Sequence, residues 1–399
     1  MNRSLPNVHG NAFGNAFGAV QGSGQSVGIN PSFVLPLSDA GTGVVNITPT
    51  FAQGSPTPTF TRATTAYTRL ANGVWALIAS GSPRSIYSAA GVYLGYQAEG
   101  ARANVLGGTD AIVRTMSDVG WVVGATLTVG TAVGVDGVAD ACALLTGGAV
   151  AATNTILFTT VLASAARTYS VRVRRVSGTG AVNITDNGGT NWTALTGLSA
   201  TEQLFQITRT QANPVVGVQV EGNGDSVAVD FNTIEAASFA NPTPIPVNVS
   251  KAADVLTYVV AGNVNAAAGT ILLDVTGVPN ASNPNTYYTN MDTAGNHPAV
   301  FVNAGNLDTY DGTTQAASVP YTASQTTVQK IAVRWGAAGI QAFNGGTAGT
   351  IGAFDGALNV GTNFAITGLA TGNMPFGGTK NFRIYKSQLS AATVQSLTT

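Results

Sequence analysis

The chain has 399 residues and a formal net charge of -1, and only 9% of its residues are Asp, Glu, Lys or Arg. About a quarter is usual in globular proteins. This charge balance argues against binding to nucleic acid or to an anionic membrane surface, because both require a basic face. A hydrophobic content of 44% supports a buried core, while 49 glycines and only four glutamates favour strands and turns over helices. We therefore expect an all-β protein.

Few residues suit common catalytic or metal chemistry. The single cysteine, Cys142, lies in an apolar run, so we expect a buried thiol rather than a nucleophile, a disulfide or a zinc ligand. The four glutamates are scattered, whereas a glycosidase needs two carboxyl groups across one substrate bond. The fingerprints of serine hydrolases, zinc proteases and nucleotide-binding proteins are missing from the sequence. We expect no enzymatic activity and no cofactor.

Residues 1–59 are predicted to form an extended N-terminal anchor arm. The segment repeats Asn-Ala-Phe-Gly, continues with Gly, Ser and Gln, and ends in the Pro-rich residues 54–60. Arg3 is not followed by an apolar core of signal-peptide length. Such a segment seldom folds alone, so it is either a flexible tail or an anchor that becomes ordered on a partner. We favour the anchor.

A first β-sandwich is predicted for residues 109–240, after a connector at 60–108. Tyr169, Val171 and Val173 alternate with polar positions, as in a strand with one buried face. Asp-Asn-Gly-Gly-Thr-Asn-Trp at 186–192 resembles the Asp-box turn of sialidases, but its Trp comes one place late, and we interpret it as a plain hairpin turn. These features indicate a jelly roll.

One uncharged stretch, Ala141 to Ala166, is long enough to span a bilayer. It contains Gly147, Gly148 and several threonines, which a membrane helix would normally lack. We therefore expect two buried strands joined by a turn and no membrane insertion.

A Pro-rich linker at 241–255 separates this sandwich from a second β-rich block at 256–399. Proline favours extended backbone, so the linker is expected to act as a semi-rigid spacer. The one good helix signal is at the C-terminus, where Ser390 is placed to cap the final helix.

The connector resembles a segment found in bacteriophage tail and virion adhesin proteins. The matching residues are Phe60, Arg62, Ala63, Thr64, Pro83, Arg84, Gly91, Leu94, Glu99, Arg102 and Asn104. In such proteins this segment precedes a carbohydrate-binding-module-like jelly roll and often a concanavalin A-like (laminin G-like) sandwich. Ser250–Leu256 is similar to the junction that follows the jelly roll, with Lys251 in place of the usual Arg, and 382–398 resembles the end of a concanavalin A-like domain.

The resemblance implies a structural virion protein of a tailed phage, made in the host cytoplasm. The preferred hypothesis is a tail fibre or receptor-binding adhesin that attaches to host surface glycan. The alternatives are a head fibre or capsid decoration protein and, third, a surface-glycan hydrolase. We expect a homotrimer, as in related fibres, that contacts other virion proteins through the arm.

Candidate sugar-binding residues lie in the second block. Tyr287, Tyr288 and Tyr310 offer flat apolar faces with a hydroxyl, and Asp308 offers a carboxylate to sugar hydroxyls. The alternative is that these aromatics fill the sandwich core. Asp308, with Asp292 and Asp311, also supplies oxygen atoms that suit calcium, but the regular calcium-loop spacing is missing, so solvated turn aspartates and no metal site are expected.

Overall fold

The computed structural model contains two β-sandwiches, one nested within the other along the chain. The described residues are 30–54, 56–237, 239–247, 250–277, 285–292, 297–311, 315–368 and 374–399. Nearly all regular structure in them is antiparallel strand, which confirms the all-β prediction. The composition explains this, since β-branched residues pack well on pleated sheets and glycine permits tight turns between short strands.

The described residues before the first sandwich form short strands. They are β1 (Phe33–Leu35), β2 (Ser38–Asp39), β3 (Val45–Asn46), β4 (Phe51–Ala52), β5 (Thr59–Thr61), β6 (Ala66–Arg69), β7 (Trp75–Ile78), β8 (Arg84–Tyr87) and β9 (Tyr93–Ala98). A short helix, α1 (Asp110–Val113), follows them and is capped by Thr109.

The inner sandwich consists of the next ten strands in the chain. They are β10 (Trp121–Val123), β11 (Thr128–Ala132), β12 (Cys142–Thr146), β13 (Thr155–Thr159), β14 (Ala165–Ser177), β15 (Val182–Thr185), β16 (Thr193–Ala194), β17 (Gln203–Gln211), β18 (Val215–Val220) and β19 (Ser226–Glu235). One sheet has the order β10-β13-β18-β15-β16 and the other β11-β12-β19-β14-β17. Tyr169, Val171 and Val173 of β14 point into the core between these sheets, as the period-two pattern predicted.

Three local predictions for this region are confirmed. The uncharged stretch supplies β12 and β13, joined through a turn of 3-10 helix, and Cys142 is buried so that desolvation raises the pKa of its thiol to about 12. Residues 186–192 form the turn of the β15–β16 hairpin, where Gly188 and Gly189 have φ of 70° and 84°. Positive φ is the backbone conformation for which glycine is needed.

The outer sandwich takes its remaining strands from the C-terminal block. They are β20 (Val255–Val259), β21 (Gly269–Gly277), β22 (Asn285–Asp292), β23 (His297–Asn303), β24 (Asn306–Tyr310), β25 (Gln315–Pro320), β26 (Ser324–Trp335), β27 (Gln341–Asn344), β28 (Thr347–Ala348), β29 (Asn363–Ile366) and β30 (Gly377–Tyr385). One sheet runs β28-β27-β26-β21-β30-β1-β4, with β9 also paired to β30 and β8 to β9. The other runs β25-β24-β23-β22-β29-β20-β5.

The predicted arm boundary is therefore wrong for the part of the arm that the structure describes. β1 pairs antiparallel with β30, and Phe33 is 0% exposed, with its ring centroid 5.0 Å from that of Tyr258 and 5.4 Å from that of Phe364. Residues 30–54 and 56–59 belong to the outer sandwich because their few apolar side chains complete its core. Residues 1–29 lie outside the described residues, so anchoring through them is untested.

The connector and the Pro-rich linker are also parts of the folded body. β8 and β9 of the connector belong to the outer sheet, and the β6–β7 hairpin packs on the inner sandwich through Tyr67, Trp75 and Phe231. The linker is not a free spacer, since Thr243 and Ile245 are buried.

The two chain segments that join the sandwiches run side by side. Arg102 and Lys251 exchange two backbone hydrogen bonds of 2.8 and 2.7 Å, and Asn104 binds the backbone of β19. We call the boundary between the two sandwiches the seam. It includes these joining segments and the faces that the sandwiches turn towards each other.

The last helix, α2 (Ala391–Thr398), begins where the sequence predicts, with the Ser390 side chain accepting a hydrogen bond from the Thr393 amide. Its Val394 packs against the outer sheet, so the helix closes one face of the outer sandwich. Within the described part of the chain, none of the helices has the length and apolar character of a membrane span.

Candidate ligand-binding groove

Charged residues from distant parts of the sequence meet at the seam and form what we call the sealed cluster: Arg62, Arg84, Glu99, Lys251 and Asp254. All five side chains are 0% exposed. Arg84 lies 3.0 Å from Glu99 and also pairs with Asp254, which Arg62 approaches to 2.9 Å. Lys251 Nζ lies 3.1 Å from Glu99 and donates to the Gly100 carbonyl at 2.8 Å.

The electrostatics of the sealed cluster keep Glu99 ionised. Burial alone would raise the pKa of this carboxyl, but the charges of Lys251 and Arg84 and a hydrogen bond from Thr243 outweigh burial and lower it to about 2. Gln97 donates to its other oxygen at 3.0 Å. A buried carboxylate with this many partners is a structural element.

A second group of charges lies where the seam opens to solvent, and we call it the open cluster: Arg69, Trp75, Arg172 and Glu202. Both guanidinium groups pair with Glu202, and the indole nitrogen of Trp75 lies 3.4 Å from the same carboxylate. The guanidinium carbons of Arg69 and Arg172 sit 4.8 and 4.4 Å from the centre of the Trp75 ring. The indole therefore holds the two arginines in place through cation–π contacts.

A local turn explains why Arg69 and Trp75 meet. They face each other as the last pair of the β6–β7 hairpin, whose turn contains Asn72 and Gly73 with a φ of 82° at the glycine. An Asn-Gly pair is the strongest short-range hairpin signal. Arg172 reaches the cluster from β14 and is fixed by donating to the Pro242 carbonyl in the linker.

The open cluster lies between two cavities, which together we call the groove. The first has a volume of about 400 Å³ and the second about 380 Å³, and both are lined by Arg69, Ala89 and Glu202. The first continues along Tyr87 and Gln203 towards Glu99. The second is lined by the following residues: Asn72, Gly73, Val74, Val133, Gly134, Val135, Gly137, Arg174 and Thr201.

The groove contains carboxylates whose pKa shifts can be compared with what a glycosidase requires. Its two carboxylates, Glu99 and Glu202, both lie on the first cavity. Burial would raise the pKa of Glu202, but Arg172 and Arg69 outweigh it and leave the pKa lowered, as at Glu99. A glycosidase acid must carry a proton near neutral pH, which requires a raised pKa. Neither carboxyl group meets that requirement.

The structure places the sequence-predicted sugar residues away from the groove, on the outer sandwich. Tyr288 is 0% exposed and shares a hydrogen bond of 2.7 Å with the Tyr321 hydroxyl, while Asp308 is 2% exposed and accepts from Ser318 at 2.6 Å. Tyr287 is also buried, against Phe301, and Tyr310 is half-buried. Tyr288 and Asp308 thus have core positions, and sugar binding beside Tyr310 stays a prediction.

The expected solvated turn aspartates are in fact parts of the outer sandwich. Asp308 lies within β24, and Asp308 and Asp311 are 2% and 1% exposed, while Asp292 is half-buried at the end of β22. In the part of the chain that the structure describes, no three His, Cys, Asp or Glu side chains are grouped to hold a metal ion.

Sequence reasoning did not select the groove. It treated Glu202 only as one of four scattered glutamates, and the structure shows Trp75 to be 3% exposed. The Asn-Gly turn was the available signal, since it predicts the hairpin that brings Arg69 beside Trp75. No local sequence pattern predicts that Arg172 and Glu202 contact Arg69 and Trp75.

Comparisons with known proteins add little to this geometry. No family model and no curated protein matches the chain. Similar solved structures include the CBM40 of the Ruminococcus gnavus IT-sialidase bound to α2,3-sialyllactose, with 14% identity over 34% of this chain and 84% of that one and a TM-score of 0.27.

Two further structures show the same low similarity. The botulinum neurotoxin type G receptor-binding domain has 13% identity over 36% of this chain and 39% of its own, with a TM-score of 0.28. The CBM22-1–CBM22-2 tandem domain of Paenibacillus barcinonensis Xyn10C has 12% identity over 73% of this chain and 100% of its own, with a TM-score of 0.26. At such scores the likeness identifies neither the fold nor the ligand of this chain.

Proposed function

We propose that this chain is a non-catalytic, glycan-binding structural protein of a tailed-phage virion, and that it binds glycan in the groove between its two sandwiches. The observation that carries the glycan-binding proposal is the groove itself, a concave site at a domain boundary lined by planar polar and aromatic side chains. Ligand sites form preferentially at such boundaries. Arginine, asparagine, glutamine and carboxylate groups match the donors and acceptors of sugar hydroxyls.

Rigidity of the groove supports this role. The sealed cluster lies directly behind the first cavity and fixes the outer sandwich, the linker and the connector to one another through Arg84, Glu99 and Lys251. A preorganised site loses less conformational entropy when ligand binds. The walls therefore need little rearrangement to accept a sugar chain.

The virion role has a different basis, namely the resemblance of the connector and of the C-terminal residues to phage adhesins. We favour a tail fibre that recognises host surface glycan, with a head fibre or capsid decoration protein as the alternative. Antibody labelling of whole particles in the electron microscope distinguishes these locations, and labelling of the head would exclude the tail-fibre assignment.

A blocked groove tests the binding site. Ala89 and Ala90 are neighbouring exposed residues in the β8–β9 turn, but only Ala89 lines the groove. We expect Ala89→Trp to abolish binding of wild-type ligands on a glycan array, and the matched control Ala90→Trp to retain it. Because both substitutions add the same side chain to the same turn, equal binding by the two variants would exclude the groove. A wild-type protein that binds nothing on the array would contradict the proposed function.

A further inference from the structure

The groove carries an excess of positive charge in a protein whose net charge is -1. Arg69 and Arg172 share a single carboxylate, that of Glu202. Arg174 also lines the groove, and among the described residues no carboxylate lies within salt-bridge distance of it; its side chain donates to the Val133 carbonyl at 3.0 Å. Three guanidinium groups thus face the groove against two carboxylates, and one of these, Glu99, is already paired with Arg84 and Lys251.

Neighbouring charges do not cancel this excess. The sealed cluster behind the first cavity has three cations, namely Arg62, Arg84 and Lys251, against the two carboxylates of Glu99 and Asp254. In the loop that lines the second cavity, the carboxylate of Asp136 is bound by Arg114 at 2.8 Å, as is that of Asp230. Asp136 and Asp230 are therefore already paired, both with Arg114.

A second observation points to a missing acceptor. The Nε atom of Arg69 is buried, and it has no hydrogen-bond partner within the described residues. A buried donor left without a partner is destabilising, so Glu202 does not fully satisfy the Arg69 guanidinium group. Arginine, with five donors in a planar fork, matches carboxylate and sulfate oxygens especially well.

The Trp75 ring further favours a charged ligand over simple stacking. Its centre lies within 5 Å of two guanidinium carbons, at 4.8 Å from Arg69 and 4.4 Å from Arg172, and the residue is 3% exposed. The ring therefore orients arginines instead of offering its face to a sugar. Recognition in this groove depends on the guanidinium groups.

We infer that the ligand of the groove is an anionic glycan, one that carries carboxylate or sulfate groups on several successive sugars and places them against Arg69, Arg172 and Arg174. This inference rests on the proposed function and specifies its ligand class. Two adjoining cavities of about 400 and 380 Å³ allow more than one sugar ring to be held at once. On binding, Arg69 and Arg172 replace part of their pairing with Glu202 by pairing with the anionic groups of the ligand.

The experiment uses the full-length protein on an array of matched pairs, in which each acidic glycan is printed beside its carboxyl-reduced or desulfated parent. We expect binding to the acidic member of at least one pair and at least tenfold weaker binding to its neutral parent, with loss of binding at high salt. Binding to both members equally would overturn the charge inference and leave the proposed function standing. Binding to no glycan would overturn both.

Arginine variants locate the interaction. Arg174→Gln is expected to weaken binding of the acidic glycan about tenfold, and Arg69→Gln at least as much, since each removes a charge-assisted hydrogen bond. Arg167→Gln is the matched control, because Arg167 lies on the same strand, β14, but binds the carbonyls of Ala163 and Gln211 away from the groove. Equal weakening in the control would show a general charge effect and overturn the assignment to the groove.

Discussion

The seam contains two charged clusters of similar composition and opposite accessibility. In the sealed cluster, Arg84, Glu99 and Asp254 are 0% exposed. In the open cluster, the side chains of Arg69 and Glu202 are 15% and 12% exposed and line the groove. The same kinds of ion pair therefore hold the fold together in the sealed cluster and line a groove in the open cluster. The difference lies in whether a ligand can reach the charges.

Desolvation explains why only one cluster is available for binding. Ions taken fully out of water are stable only when every charge and lone pair has a partner, and Glu99 meets this condition through Arg84, Lys251, Gln97 and Thr243. A charged ligand offers nothing that this site lacks. The open cluster has more guanidinium donors than carboxylate acceptors, so an added anion improves its pairing.

The largest predicted effect comes from breaking the sealed cluster. Arg84→Met keeps most of the side-chain volume but leaves Glu99 and Asp254 short of a cation in the interior. We expect a loss of about 3–5 kcal/mol in the free energy of unfolding, measured by urea denaturation.

Arg69→Met in the open cluster is the matched control for that change. Water can solvate the remaining Glu202 carboxylate, so the loss is expected to be about 1 kcal/mol or less. Equal losses in the two variants would contradict the distinction between sealed and open clusters.

A third carboxyl group at the seam, that of Glu235, is buried but incompletely paired. It accepts from the Asn241 amide at 2.7 Å, whereas its other oxygen is 3.7 Å from Arg102 Nε, too far for a hydrogen bond. Burial is the main cause that raises its pKa, to about 7, against the opposing effects of Asn241 and Arg102. Glu235 thus lacks the compensation that keeps Glu99 ionised.

This raised pKa predicts a pH-dependent stability. A carboxyl whose pKa is higher in the folded than in the unfolded protein stabilises the fold fully below the unfolded pKa, and that contribution is lost as the pH rises through the folded value of about 7. Between pH 5 and pH 8 we expect wild-type protein to lose about 2 kcal/mol from this group, and Glu235→Gln to lose none of it.

Urea denaturation at both pH values measures this difference, and the comparison with wild type removes contributions from other titrating groups. Glu221→Gln is a suitable control, because Glu221 is an exposed glutamate at the end of the β18 segment. A Glu235→Gln profile that follows wild type would contradict the assignment of the pH dependence to Glu235.

Local sequence patterns predicted the local structure well. The alternation around Tyr169, the hairpin at 186–192, the cap at Ser390 and the burial of Cys142 each depend on neighbouring residues and were confirmed. The arm was misassigned because β1 has three residues, too few to show a period, and finds its partner strand nearly the whole chain length away, in β30.

The sealed cluster behind the groove was beyond sequence reasoning for a similar reason. The resemblance singled out Arg62, Arg84, Glu99 and Lys251 separately, and the structure shows that they share one buried cluster. Their separation along the chain reflects the insertion of the inner sandwich between the connector and the linker. Neither the periodicity nor the motif spacing of the sequence predicts that these distant residues meet in one cluster.

The smallest predicted effect is a difference between the clusters in how the stability loss of a variant depends on salt concentration. Glu202→Gln keeps an oxygen that accepts from Arg69 and Arg172 but removes the only negative charge between them. We expect a loss of about 1 kcal/mol in unfolding free energy at low ionic strength. The difference from wild type should shrink by about half in 0.5 M NaCl, because ions reach the open cluster and screen it over a few ångströms.

Glu99→Gln should destabilise by the same amount at both salt concentrations, since its 0% exposed side chain excludes ions. Urea denaturation of both variants at the two ionic strengths measures this, and a salt-independent loss for Glu202→Gln would show that the open cluster is as closed to ions as the sealed one. It would then be equally closed to a charged glycan.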